Sequence, residues 1–305
     1  MKMDKKKEST NGSWYRNWTN EHQAQIKDLK YTIHLFRQSK LAMGGFLLVL
    51  GVVLMSVFAP FLITHDPYSL NLPERGLPPS REHLFGTDSN GMDIYSRCVW
   101  GGRIDLSVGF IIVFISTAVG VVVGVTTGYM GGIIDEVFMR ITDMFFAIPS
   151  LILAMAVSAA LGSRSLQTIM FSMLIVSWPG YARLIRGNTL AVREEPYIEA
   201  AKSLGASSLY IIFKHVLLNA VAPVLVMATM DLGSIMLLTA SLSFIGMGAQ
   251  PGTPEWGRMI ADGRNFMRSS PWMITFPGIF IMISVLGFNL LGDGLRDVLD
   301  PRLRR

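Results

Sequence analysis

Long apolar runs of about 20 residues, separated by polar stretches, dominate the sequence after its first 40 residues. A run of about 18 or more apolar residues with few charges can cross the hydrocarbon core of a membrane, and a water-soluble core rarely needs one. Only 16% of the 305 residues are charged, against about 25% in soluble domains. The chain is therefore predicted to be an all-α polytopic membrane protein.

The runs predict about six transmembrane helices, on residues 41–63, 105–129, 145–162, 166–185, 220–246 and 273–292. The cytoplasmic segments would then be residues 1–40, 130–144, 183–219 and 293–305. These segments contain 19 of the 27 Lys and Arg residues, which is the bias that the positive-inside rule describes. Both termini are predicted to be cytoplasmic, and the chain to lie in a prokaryotic plasma or inner membrane.

Residues 1–40 form a basic N-terminal arm with nine Lys and Arg, ahead of the membrane domain at 41–305. The first apolar run starts after the arm and is too long for a signal-peptide core, so no cleaved signal peptide is expected. Apolar residues at helical spacing predict an amphipathic helix over about 21–38 on the lipid surface, and a disordered basic tail is the alternative for 1–20. The apolar residues of that helix are Ile26, Leu29, Ile33 and Phe36.

The chain lacks the residue patterns of the common catalytic and metal sites. The single cysteine, Cys98, excludes an internal disulfide, and the net charge of +5 is assigned to membrane topology, with no nucleic-acid partner expected. No phosphate loop and no GxSxG elbow occurs, so neither ATP binding, enzymatic activity nor a cofactor is predicted. The histidines show no paired ligand spacing, and no metal site is predicted; they are His22, His34, His65, His83 and His215.

Asp231 lies near the middle of the fifth predicted span, where a carboxylate facing lipid would cost about 2.5–3.5 kcal/mol. The side chain should therefore face protein or a water-filled path. Two roles are compatible with this position. Asp231 could line a translocation path, or it could bond two helices or be held protonated. Ser243 and Trp256, both in the region 241–260, are candidates for an outer rim or gate. In the outer segment 247–272, prolines surround Trp256, whose indole suits a membrane interface.

A repeat of small residues, Gly120, Gly124 and Gly128, leaves one side of the second predicted span bare. Such spacing lets another helix backbone approach closely. Close helix packing is the favoured interpretation, and contact with a substrate is the alternative.

The cytoplasmic segment 183–219 is predicted to contain two short helices joined by a glycine turn. Pro196 suits the first turn of a helix, and the acidic residues near it favour the positive end of the helix dipole. Gly205 can take the left-handed conformation that ends this helix, and Ser207 or Ser208 can cap a second one that runs through Lys214. The product would be a compact protrusion suited to a groove on a soluble partner.

Glu199-Ala200-Ala201, followed after three residues by Gly205, resembles the EAA loop of permease subunits in binding-protein-dependent ATP-binding-cassette importers. The resemblance implies a type I ABC importer permease fold and a loop that docks on the nucleotide-binding subunits. The residues implied for this coupling loop are Glu195, Tyr197, Glu199, Ala200, Ala201, Leu204, Gly205 and Ala206.

Four further stretches resemble the C-type subunit of dipeptide and oligopeptide permeases: HLFGTDSNGMDIYSRCVWGGR, GGIIDEVFMRITDMFFAIPSL, SLSFIGMGAQPGTPEWGRMIADG and FNLLGDGLRDVLDPRLR. The implied partners are a second, B-type permease, two ABC ATPase subunits and an extracellular substrate-binding (lipo)protein. The implied cargo is a di- or oligopeptide, with glutathione or nickel as alternatives. Two residues depart from the family pattern: Leu218 stands in place of a proline, and Thr239 stands where relatives often carry Glu.

Two other functional hypotheses fit the sequence less well than the importer. A secondary transporter would need membrane-embedded ion ligands and an internal inverted repeat, and only Asp231 fits that description. An intramembrane enzyme or a structural anchor would need a convergent catalytic set or large soluble domains, and the sequence shows neither. The importer subunit is the prediction that explains most of the chain.

Overall fold

The computed structural model describes residues 23–299, and this part of the chain is helical. Within it no strand forms, and the only β-type pairing is an isolated bridge between Thr87 and Asp93. The predicted tail at 1–20 and the basic C-terminal residues after 299 lie outside the described residues. The predicted all-α class is confirmed.

The α-helices are α1 (Gln23–Gln38), α2 (Lys40–Val57), α3 (Ala59–Leu62), α4 (Ile94–Met130), α5 (Gly132–Phe146), α6 (Ser150–Ala160), α7 (Leu166–Arg193), α8 (Pro196–Ser203), α9 (Ser208–Ile211), α10 (Leu217–Ala220), α11 (Ala222–Ile245), α12 (Trp256–Gly263) and α13 (Trp272–Leu299). Short 3₁₀ turns occupy Leu72–Glu74 and Arg264–Phe266, and a π-helical turn occupies Ile212–Val216. Helix α1 lies within the segment predicted to be amphipathic, and its attachment to lipid stays a prediction.

In the part of the chain that the structure describes, five helices are long and apolar enough to cross a membrane: α2, α4, α7, α11 and α13. Helices α5 and α6 meet the same criterion together but bend by 94° at the break between them, and they count as a sixth span if the pair is one. Pro149 directly precedes α6, where its fixed φ suits the start of a new helix. The prediction of about six spans is confirmed at this level, while the individual span boundaries stay predictions.

Helices α4 and α7 form the closest long pairing, and the glycine repeat lies at their contact. A methyl group added at Gly120 would meet Tyr181, and one added at Gly124 would meet the backbone of Ala182. At Gly128 the added carbon would lie 2.8 Å from the Cβ of Thr189. The repeat therefore serves helix packing, as the favoured interpretation holds.

A buried arginine near the start of α4 joins the two segments that are predicted to lie outside the membrane, residues 64–104 and 247–272. The guanidinium of Arg97 donates to the carbonyl oxygens of Pro67 at 3.0 Å, Gly252 at 3.1 Å and Thr253 at 3.3 Å. Asp93 begins α4, since its Oδ2 accepts from the backbone N–H of Ser96 at 2.7 Å. The two segments thus pack together at the start of α4.

Candidate functional site

Helix α8 begins where the sequence predicts it. Pro196 occupies the first turn, where its missing N–H costs nothing, and Glu195 stands at the N-cap position in an extended conformation. Glu199 lies in the first turn and Lys202 in the last, so both charges complement the helix dipole.

Gly205 ends α8 with a left-handed φ of +81°. Its N–H donates to the carbonyl of Lys202 at 2.9 Å, and the next N–H, of Ala206, donates to the carbonyl of Ala201 at 3.1 Å. These two bonds make a Schellman motif, which satisfies carbonyls that the helix end would otherwise leave unpaired. A β-carbon at Gly205 would meet nothing within 4 Å, so only the backbone conformation requires glycine here.

Ser207 caps the second short helix, with its Oγ accepting from the backbone N–H of Tyr210 at 3.3 Å. The helical path then widens into the π-helical turn Ile212–Val216 and continues as α10. Leu218, which replaces the expected proline, is 64% exposed within α10. A proline does occur five residues after Leu218: Pro223 lies in the first turn of the next helix, α11.

One face of the loop is anchored to the membrane helices. Ile198, Ile211 and Val216 have no exposed surface and join a cluster with Val125 of α4 and Ile185 of α7. Because three side chains from α8, α9 and the π-helical turn share this cluster, the loop is held as one packed unit on α4 and α7.

The opposite face of the loop presents large side chains to solvent. Leu204 is 88% exposed, Leu209 68% and Phe213 64%, and Glu199 and Ala200 are exposed beside them. Tyr197 is 43% exposed near Glu195, and its partial burial together with the Glu195 charge raises the pKa of its phenol. We call Tyr197, Glu199, Ala200, Leu204, Leu209 and Phe213 the loop tip.

Three arginines near the end of α7 bond neighbouring helices: two of them bond α5, and one bonds the end of α4. Arg186 makes two hydrogen bonds of 2.6 Å to the carboxylate of Asp135 in α5. Arg183 pairs with Asp143 of α5 at 2.5 Å. Arg193, at the end of α7, donates to the carbonyl oxygens at the end of α4 at 3.3 Å.

Asp231 lies in α11, partly buried, with the side chain of Tyr181 from α7 as its polar neighbour. Tyr181 itself is fully buried. The position agrees with the expectation that the carboxyl group faces protein or a path, and its role in translocation stays a prediction.

Ser243 and Trp256, predicted at an outer rim or gate, are both buried in this conformation. The indole N–H of Trp256 donates to the carbonyl of Cys98 at 2.9 Å, and its backbone N–H donates to Asp105 at 3.1 Å. Glu255 caps α12 by accepting from the N–H of Arg258 at 2.7 Å, and burial raises the pKa of this carboxyl group. Trp256 therefore holds α12 against α4, and the indole does not sit at a water interface.

A cavity of about 360 Å³ lies near these residues, between the end of α6 and the end of α11. Ser158, Arg164 and Met247 line it.

Comparison with known proteins gives two family matches. The profile described as "Binding-protein-dependent transport system inner membrane component" matches residues 120–305, and the profile of the "N-terminal TM domain of oligopeptide transport permease C" matches residues 29–79.

Several curated proteins are similar over most of the chain. A probable D,D-dipeptide transport system permease of Escherichia coli K12 is 43% identical over 270 residues, which is 88% of this chain and 90% of that protein. A dipeptide transport system permease of Alkalihalophilus pseudofirmus is 44% identical, covering 88% of each chain. A glutathione transport system permease of E. coli O6:K15:H31 is 42% identical, covering 88% of this chain and 89% of its own.

The fold is similar to that of a solved membrane protein, the MetNI methionine ABC transporter in inward-facing conformations. The TM-score is 0.53 at 23% identity, covering 68% of this chain and 98% of the solved chain. A second crystal form matches with a TM-score of 0.52 at 24% identity. At this level of identity the match supports the fold alone.

Proposed function

Because this chain belongs to the binding-protein-dependent ABC permeases, in the C-type branch of the dipeptide and oligopeptide family, we propose that it forms half of the translocation path of an ATP-driven peptide importer. A second, B-type permease would supply the other half. The proposed energy source is a pair of separate ABC ATPase subunits, since the sequence contains no phosphate-binding loop of its own.

The observation that carries this proposal is the two-sided coupling loop. One face is fully buried against α4 and α7, and the loop tip exposes several large apolar side chains. A folded protrusion with exposed apolar side chains on one face is suited to a partner's groove.

The loop can transmit force because it is packed and capped throughout. The Schellman motif at Gly205 and the Ser207 cap fix the angle between α8 and α9, and the buried cluster fixes both on α7. ATP binding would switch the permease pair only through unequal affinity for its inward-open and outward-open states. Closure of the ATPases would then move α7 and α4 together.

The proposed path runs past Asp231, and the proposed outer rim contains Ser243 and Trp256. Since Trp256 is buried in this conformation, a role in gating would require α12 to move away from α4. We place the loop and both termini in the cytoplasm, and an extracellular substrate-binding (lipo)protein on the opposite face, following the distribution of basic residues.

The first test is purification in mild detergent from cells that express the natural partner subunits, with a tag on the C-terminus of this chain. Wild-type protein should bring down an ATPase with a phosphate loop and a second permease. Gly205→Pro and Glu199→Lys should be inserted normally but lose the ATPase, because proline cannot adopt a φ of +81° and the lysine reverses a charge on the loop tip.

Matched control variants lie elsewhere on exposed surface. Gly187→Ala changes a helical glycine of α7 with open space around it, and Glu136→Lys reverses an exposed charge on α5. Both should retain the ATPase. If the chain purifies alone, the importer assignment is wrong; if the two loop variants keep the ATPase, the assignment of the loop is wrong.

The cargo is proposed to be a short peptide, and glutathione is the second candidate, since named relatives of both kinds are 42–44% identical. Uptake of a labelled dipeptide by cells that depend on this transporter, in competition with an oligopeptide and with glutathione, distinguishes them. Competition by glutathione alone would exclude the peptide assignment.

A further inference from the structure

Two histidines and an aspartate, distant in sequence, meet at the start of α4 on the predicted outer side. The Nδ1 of His83 lies 2.9 Å from the Oδ1 of Asp93, and the Nδ1 of His65 lies 3.9 Å from the same oxygen. The two imidazole rings lie 4.7 Å apart, centre to centre. We call His65, His83 and Asp93 the histidine cluster.

The three ligand atoms have the separations of a metal site. Two ligands of a tetrahedral zinc ion, each about 2.0–2.1 Å from the metal, lie roughly 3.3 Å apart. The separations of 2.9 Å and 3.9 Å fall on either side of that value. Small side-chain rotations would therefore bring one nitrogen from each imidazole and one carboxylate oxygen around a common centre.

His83 is buried between two carboxylates, one at each ring nitrogen. Its side chain is only 5% exposed, and its second nitrogen, Nε2, lies 3.3 Å from the Oε2 of Glu74. Among residues 23–299, this buried nitrogen has no hydrogen bond of good geometry. If Nδ1 bound a metal, Nε2 would carry the proton and donate it to Glu74, which is the carboxylate–histidine–metal arrangement common in proteins.

The other two groups are also positioned by local structure. Asp93 uses Oδ2 to cap α4, which leaves Oδ1 directed at the histidines. The backbone N–H of His65 donates to the Oγ of Ser96 at 3.0 Å, so its position is fixed against the first turn of α4. The His65 side chain is 38% exposed, which gives an ion access from solvent and leaves room for a water ligand.

We propose that the histidine cluster binds a divalent transition-metal ion, with His65, His83 and Asp93 as ligands and Glu74 orienting His83. Imidazole and carboxylate ligands suit Zn²⁺, and an ion here would join the outer segment to the start of α4. The ion is resident in this chain and independent of the cargo. The site costs two existing hydrogen bonds, the 3.0 Å bond between Thr64 and the Nδ1 of His65 and the 2.9 Å bond between the Nδ1 of His83 and the Oδ1 of Asp93.

The test measures bound metal on the full chain, purified in detergent with the subunits that accompany it. Protein is stripped with chelator, given Zn²⁺ or Co²⁺, desalted and analysed for metal content, with the visible spectrum of Co²⁺ as a second readout. Wild-type protein should retain about one ion per chain, as a site with three protein ligands does. His65→Ala should reduce retention to background, and His34→Ala, which removes an exposed histidine from α1, should not.

Two further variants separate metal binding from folding. Asp93→Asn preserves an N-cap residue, so α4 should still begin correctly while metal retention falls. Glu74→Gln should weaken binding by roughly 10- to 100-fold, as the loss of a group that orients a ligand does. Wild-type protein that retains no metal, or His65→Ala and Asp93→Asn proteins that retain as much as wild type, would overturn the proposal.

Discussion

At the scale of single residues, the proposed coupling loop depends on the backbone conformation of Gly205. A residue with a β-carbon at a φ of +81° costs about 1–2 kcal/mol, although the space around it is open. Gly205→Ala should therefore reduce transport and ATPase stimulation in proteoliposomes, while Gly205→Asn should retain most of both, since asparagine tolerates the left-handed conformation.

The control for this series is Gly187→Ala. Gly187 is also exposed and uncrowded, but it lies inside α7 without a positive φ, so alanine should leave activity unchanged or raise stability slightly. Equal activity of Gly205→Ala and Gly205→Asn would show that backbone conformation is not what the loop requires.

Some residues of the candidate site could be predicted from the sequence, and others could not. Pro196, Gly205 and Ser207 act through local backbone chemistry, which a sequence displays directly. Trp256 was assigned to an outer rim because indoles favour interfaces, but its partners, Cys98 and Asp105, lie about 150 residues away. Contacts of that range leave no periodic signal in the sequence.

At the scale of helices, the α4–α7 contact makes a prediction about stability. A methyl group at Gly124 would collide with the carbonyl oxygen of Ala182, a backbone atom that cannot rotate away. Overpacking of this kind costs about 1–3 kcal/mol, so Gly124→Ala should lower the thermal unfolding midpoint in detergent clearly.

The same substitution in open space provides the comparison. Gly51 lies in α2 with nothing within 4 Å of an added β-carbon, so Gly51→Ala should unfold at the wild-type temperature or slightly above. Equal midpoints for Gly51→Ala and Gly124→Ala would contradict the packing of α4 on α7.

The ion pair between α5 and α7 is the second helix-scale prediction. Asp135 and Arg186 share two hydrogen bonds, and their side chains are 16% and 30% exposed, so the pair should contribute about 1 kcal/mol. Asp135→Asn and Arg186→Gln should each lower the unfolding midpoint, and the double variant should lose little more than either alone. Additive losses would show that the two side chains do not act together.

Hydropathy predicted that the long helices exist but could not give their lengths. Helix α4 starts at Ile94, eleven residues before the predicted span, because Asp93 caps it and the protein itself buries Arg97. Helix α7 continues to Arg193, since arginines on its last turns find carboxylate and carbonyl partners. The bend between α5 and α6 lies at the break that contains Pro149, which the sequence shows. The angle of the bend depends on tertiary packing, which the sequence does not show.

At the scale of the whole molecule, contacts between residues distant in sequence concentrate near the start of α4, and local sequence signals concentrate in the loop between α7 and α11. Arg97 donates hydrogen bonds to carbonyl oxygens in both segments that are predicted to lie outside. The rings of His65 and His83, which are 18 residues apart in sequence, lie side by side. The spacing of these residues in the sequence predicts neither the hydrogen bonds of Arg97 nor a metal site at the two histidines. The two short helices and the Gly205 turn of the loop, by contrast, come from one continuous segment and were predicted from it, while the large exposed side chains of the loop tip were not.

The orientation of the molecule can be tested with cysteine chemistry, because Cys98 is the only cysteine and is fully buried. Wild-type protein in intact cells should not react with a membrane-impermeant maleimide. Ser269→Cys, exposed on the predicted outer side after α12, should react in intact cells. Glu136→Cys, exposed on α5, should react only after the membrane is opened. Labelling in the reverse order would invert the topology and place the coupling loop outside the cell, where no ATPase could reach it.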